Sequence, residues 1–117
     1  MKYLFLLFLL SCSATSNKPL TKEELSTKSQ EKLAENSSKL RDCSKFLDFK
    51  NTNMYEVQMS FRITPGGRLE TLWLNDTVKW PDPFYHCLYN TIDHINFPSN
   101  EDGISLEIEQ PLVFKKP

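Results

Sequence analysis

The 117-residue chain has two histidines, three cysteines, no excess of basic residues and no long apolar run. Each shortage excludes something. The apolar stretch Tyr3 to Leu10 is eight residues long, whereas a helix spanning a bilayer needs about 20. Lys and Arg number 14 against 15 Asp and Glu, so no basic surplus is present to grip nucleic acid. His86 and His94 are eight residues apart, two turns on one helix, and cannot share a zinc ion as i, i+4 ligands do. His86 adjoins Cys87, but neighbouring helical residues diverge, so no Cys/His dyad follows. Asp82 and His86 can pair on a helix surface. The chain has no G-x-S-x-G, P-loop or H-E-x-x-H, each of which places a nucleophile, phosphate or metal. These absences predict no enzyme, no metal and no cofactor.

What is present begins at the N-terminus. Lys2, the apolar run and a small residue before Cys12 have the form of a secretory signal. Leu9-Leu10-Ser11-Cys12 resembles the lipobox of bacterial lipoproteins. The resemblance implies a signal peptide over residues 1–11, cleavage before Cys12 and a diacylated Cys12 thiol with a further acyl chain on the new amine. More than one chain is needed for stable anchoring, since each buried methylene contributes about 0.8 kcal/mol. Ser13 stands where sorted lipoproteins kept at the inner membrane carry Asp, which implies the outer membrane, facing the periplasm. Cleavage takes 11 of the 117 residues and leaves 106, enough for one domain. It also removes Lys2, leaving 13 basic and 15 acidic side chains, net −2. With Cys12 lipidated, Cys43 and Cys87 remain, and two thiols in an oxidising compartment usually pair. Two buried free thiols are the alternative.

Residues 12–29, the lipidated Cys12 and a polar stretch after it, read as a flexible spacer with too little apolar surface to fold alone. The folded domain is expected over residues 30–117. Residues 30–47 predict a helix with Leu33, Leu40, Cys43 and Leu47 on one face. Residues 54–64 alternate: Tyr55, Val57, Met59, Phe61 and Ile63 against Glu56, Gln58, Ser60 and Arg62, which is a half-buried strand. Pro65-Gly66-Gly67 turns the chain into a second strand over residues 68–74. There Leu72-Trp73-Leu74 breaks the alternation and predicts a bulge or an end buried on both faces. Asp82 as cap and Pro83 as first residue predict a second helix, striped by Phe84, Cys87, Leu88, Thr91, Ile92 and Ile95 and ended by Phe97-Pro98. A third strand follows from Ile104, with Pro111 marking an edge or irregular point. The second helix links strands two and three, so these are parallel neighbours or sit apart. The simplest layering is α+β in the order α-β-β-α-β, a three-stranded mixed or antiparallel sheet with both helices on one face. Cys43 and Cys87 both lie on apolar faces of these helices.

The ordered set resembles the C-terminal domain of the AgmX/PglI family, a relative of the TonB C-terminal domain, over roughly residues 40–114. It comprises Cys43 ending a helix, Gly67-Arg68-Leu69, an Asp-Pro helix start carrying Cys87, Phe97-Pro98, and a last strand ending Pro111-Leu112-Val113-Phe114. The resemblance implies a TonB-like fold, a Cys43/Cys87 pair and a non-catalytic role in the cell envelope. The chain departs from force transducers of that kind, which carry a spanning anchor and a long proline-rich arm.

The expected function is a protein-binding or scaffold module for envelope partners, in a motility or transport complex. Its partners are engaged by strand addition at the third strand. Ser105, Glu107 and Glu109 are the candidate partner-binding residues; as a bland alternative, these acids only keep an edge soluble. The membrane is met through the N-terminal lipid alone. A small periplasmic enzyme or ligand-binding protein of unknown substrate is the competing class. Trp73, Trp80, Phe84 and Tyr85 form either a ligand patch or, more commonly, core. Asn36-Ser37-Ser38 and Asn75-Asp76-Thr77 match a glycosylation sequon, the mark of a secreted eukaryotic chain, and the lipobox argues against that.

Overall fold

The computed structural model describes residues 21–117. The signal segment and Cys12 lie outside the described residues. The elements are α1 (Lys22–Glu35), α2 (Ser37–Arg41), a 3-10 turn (Asp42–Phe46), β1 (Met54–Ile63), β2 (Leu69–Leu74), α3 (Asp82–Asp93) and β3 (Leu106–Lys115). The fold is α+β with one antiparallel three-stranded sheet.

Helix α1 corrects the reading of residues 13–29 as spacer, because helix runs through its second half. Thr21 caps the helix: its hydroxyl accepts from the Glu24 N–H, and the Glu24 carboxylate accepts from the Thr21 N–H. This reciprocal box satisfies two donors that a helix end otherwise leaves open. The same bonds hold the Glu24 carboxyl below its ordinary pKa. Leu25, Ser29 and Leu33 are buried at one residue per turn, a stripe too thin to register as amphipathic in the sequence.

The helix expected over 30–47 is broken at Asn36, whose side-chain amide donates to the Lys32 carbonyl. The expected apolar face nevertheless continues through α2 and the 3-10 turn. Leu33, Leu40 and Cys43 are buried, and Leu47 packs on the core.

The strand order is β2-β1-β3, so strands two and three sit apart with β1 between them. β1 meets β2 in the register Ser60↔Trp73 and Arg62↔Thr71, and meets β3 in the register Ser60↔Glu109 and Arg62↔Glu107. A bulge falls between Arg62 and Ile63, where Glu70 of β2 is the extra residue; Leu72, Trp73 and Leu74 themselves stay in regular register with Phe61, Ser60 and Met59. Val57, Met59, Phe61 and Ile63 are buried under the helices and share one core with Phe84, Leu88 and Ile92 of α3. Their alternates on β1 face away from the helices, since successive strand residues point to opposite faces. One sheet face is therefore packed and the other is open.

Helix α3 begins one residue earlier than expected. Pro81 is the cap residue, in extended conformation, and its carbonyl accepts from the N–H groups of Phe84 and Tyr85. Asp82 is thus the first helical residue rather than the cap, and it makes no side-chain cap bond. The helix stops at Asp93, before Phe97-Pro98, but Ile95 and Phe97 remain buried beyond its end. A disulfide joins Cys43 to Cys87 with their Cα atoms 5.7 Å apart, tying the 3-10 turn to α3.

Candidate functional site: the open face of the sheet

The backbone ladder decides what each strand edge offers. Asn75 donates to the Gln58 carbonyl, and the Gln58 N–H donates to the Asn75 side chain. Gln58 therefore directs its backbone groups toward β2. Antiparallel ladders alternate, so Val57, Met59 and Phe61 direct theirs toward β3. On β3 the partners Leu112, Gln110 and Ile108 turn inward to β1. Glu107, Glu109, Pro111 and Val113 turn their backbone groups to the free edge.

Pro111 thus sits at a position whose N–H would face outward, which is where proline is tolerated in a sheet. Its carbonyl accepts from the Gln110 side chain. The middle of the β3 edge therefore lacks one donor and has one acceptor already engaged. On the other side of the sheet, the Leu72 carbonyl of β2 accepts from the Tyr85 hydroxyl at 2.8 Å. Neither edge is a clear template for an added strand.

The three candidate binding residues separate. Ser105 precedes β3 and is exposed. Glu107 reaches across the face rather than off the edge, and its carboxylate accepts from Arg62 at 2.5 Å. That bond, reinforced by the charge of Glu107, raises the Arg62 pKa, with Glu70 contributing more weakly. Glu109 lies across from Ser60 and has no ion-pair partner among the described residues. The acids therefore make the open face acidic rather than the edge.

Trp73 belongs to this face as well. It pairs with Ser60 from the opposite side and is 50% exposed. Trp73, Ser60 and Glu109 thus form one row across the three strands. A depression of about 410 Å³ lies beside them, lined by Ser60, Phe61, Trp73, Glu107, Ile108 and Glu109. Val113 and Met54 are also exposed, toward the other end of the sheet.

The four aromatics grouped in the sequence divide by role. Phe84 is fully buried. Trp80 stacks on it with ring centroids 5.5 Å apart and donates its indole N–H to the Asn75 carbonyl. Tyr85 binds Leu72 as described. Only Trp73 faces solvent. Phe49, Tyr55 and Phe114 extend this aromatic chain, at centroid spacings of 5.3 to 5.7 Å. Phe49 meets Tyr55 across the short loop into β1, whereas Phe114 is brought beside Phe84 by the pairing of β3 with β1.

His86 and His94 are both exposed, and His94 Nδ1 lies against the Asn90 carbonyl. Asp82 and His86 form no ion pair among the described residues. No group of three or more His, Cys, Asp or Glu that could hold a metal occurs among them, and none of their helices is long and apolar enough to cross a membrane. Asn36 and Asn75 of the two sequons donate their side-chain amides within the fold, to the Lys32 carbonyl and the Thr77 hydroxyl. Comparison with known proteins finds no matching family model, curated protein or solved structure.

Proposed function

We propose that the chain is a non-catalytic cell-envelope lipoprotein whose domain binds a partner protein through the open face of its sheet. In this reading Cys12 carries the lipid, and the domain stands at the outer membrane facing the periplasm with a TonB-like ancestry. The observation that carries the binding role is Trp73. A large aromatic is left half exposed on the open face of the sheet, on the outer strand β2, while the opposite face packs against the helices. A buried tryptophan-sized side chain covers roughly 150–250 Å², so about 100 Å² of Trp73 remains to be covered. At about 25 cal/mol per Å² that is worth about 2.5 kcal/mol to an interface.

The position of α1 sharpens the anchor. The nine steps from Cys12 to Thr21 reach roughly 32 Å when fully extended. The domain would therefore work close to its membrane. A tether of that length has no arm with which to carry force across the periplasm, so a stationary scaffold role in a motility or transport complex fits better than energy transduction.

The test is native electrophoresis of detergent-solubilised envelopes from cells making the full chain. A species larger than the monomer is expected, lost in Trp73→Ala and retained in His86→Ala, on the opposite side of the domain. Monomer alone in all three samples contradicts the binding role.

A further inference from the structure

Four carboxylates bear on the open face: Glu56 and Glu109 directly, Glu107 through its bond to Arg62, and Glu70 at the bulge. Among the described residues of this face, only Arg62 and Lys115 oppose them, and Arg62 is already held by Glu107. The face is thus acidic where the chain as a whole is nearly neutral. Its depression places the half-exposed indole of Trp73 on one side of Ser60 and the unpaired Glu109 on the other. At about 410 Å³ it lies at the lower end of the roughly 300–1,000 Å³ typical of ligand pockets. That is ample room for one long side chain.

Resting on the binding role above, we infer that the occupant of this depression is an arginine side chain from a basic segment of the partner protein. An indole face attracts a cation through its quadrupole. A carboxylate takes the planar guanidinium through paired hydrogen bonds. Trp73 and Glu109 supply these two functions across one strand. The face already holds one arginine–carboxylate bond within the chain, where the Arg62 guanidinium donates to Glu107. Strand addition would use the edges instead, and those are interrupted at Pro111 and Leu72. Recognition by side chain therefore suits this surface better. An anionic partner, such as a nucleic acid, would be repelled by it.

The experiment uses fluorine NMR on the full chain in detergent micelles, with fluorotryptophan at both tryptophans and Trp73 assigned by Trp73→Phe. Octa-arginine, octa-lysine and octa-glutamate are the probes. Octa-arginine is expected to shift the Trp73 resonance and leave Trp80 in place. Octa-glutamate is expected to do nothing, and octa-lysine to bind more weakly than octa-arginine. Glu109→Gln, a conservative change at an exposed position, should weaken octa-arginine binding about five- to tenfold. Octa-arginine binding that leaves Trp73 unmoved, survives Glu109→Gln or is matched by octa-lysine overturns the arginine site. That failure with the larger native species intact leaves the binding role standing with a different partner chemistry. Loss of that species in wild type removes both.

Discussion

The Cα of Gly67 lies directly against the backbone of Phe97: a Cβ placed on Gly67 would fall 2.3 Å from the Phe97 carbonyl oxygen. Gly67 also has φ of +82°. The β1–β2 turn is docked there on the chain leaving α3, and Asn100 adds a bond to the Pro65 carbonyl. Gly67→Ala therefore meets two penalties, the left-handed backbone at about 1–2 kcal/mol and a clash with backbone that has no flexible end to move. Gly103 shares a positive φ, of 73°, but has open space around it. Urea midpoints should fall by about 3 kcal/mol equivalent for Gly67→Ala and about 1 kcal/mol for Gly103→Ala. Equal losses would remove the packing argument.

Leu25 is fully buried in α1. Leu25→Ala should cost about 2–5 kcal/mol in urea unfolding, as core truncations of leucine do. A change near zero would return residues 22–29 to the role of spacer.

The disulfide closes a separation of 44 residues. In the chain-entropy model this contributes about 4 kcal/mol. The double variant Cys43→Ser with Cys87→Ser should unfold at a urea midpoint lower by that amount. Wild-type protein treated with reductant should match it, and reductant should not affect the double variant.

Tyr85 gives a pH signature. Burial, with a smaller contribution from Tyr89, raises the pKa of its hydroxyl above 10.0. The folded state thus holds this proton more tightly than the unfolded chain. Its contribution to stability is complete below pH 10.0 and is lost as pH rises through the folded value. Tyr85→Phe should cost about 1 kcal/mol at neutral pH through the lost bond to Leu72. The gap between wild type and variant should then narrow above pH 10.0. A gap constant across alkaline pH would show that the hydroxyl is not desolvated.

Palmitate-analogue labelling tests the address. Label on the wild-type chain and none on Cys12→Ala is the expected result; an unlabelled wild type contradicts the lipoprotein reading.

Strand alternation made β1 legible, because a two-residue period marks one buried face. The stripe of α3 was legible for the same kind of reason. Residues 22–29 of α1 were not, since their burial rests on Leu25 and the small polar Ser29, and β3 supplies the rest of that contact only in three dimensions. Among the candidate residues, Glu107 and Glu109 were visible as alternates of Leu106 and Ile108. Their meeting with Trp73 depends on β1 lying between β2 and β3, a strand order that helix α3 leaves open. Trp73 itself was masked by its neighbours Leu72 and Leu74, which point into the core while it points out. Pro111 announced an edge, but its blocking of strand addition follows only from which ladder bonds turn inward.

The most direct measurement is a photo-crosslinking scan of the full chain in cells. The crosslinking residue replaces Met54, Glu56, Gln58 or Val113 on the open face, leaving Trp73 and Glu109 in place, and Lys28, His86 or Asn90 on the helical side, one at a time. Binding through the open face requires crosslinked product from the first group and none from the second, with arginine near the point of attachment in the partner's peptide. Product from the helical positions, or from none of the seven, contradicts it.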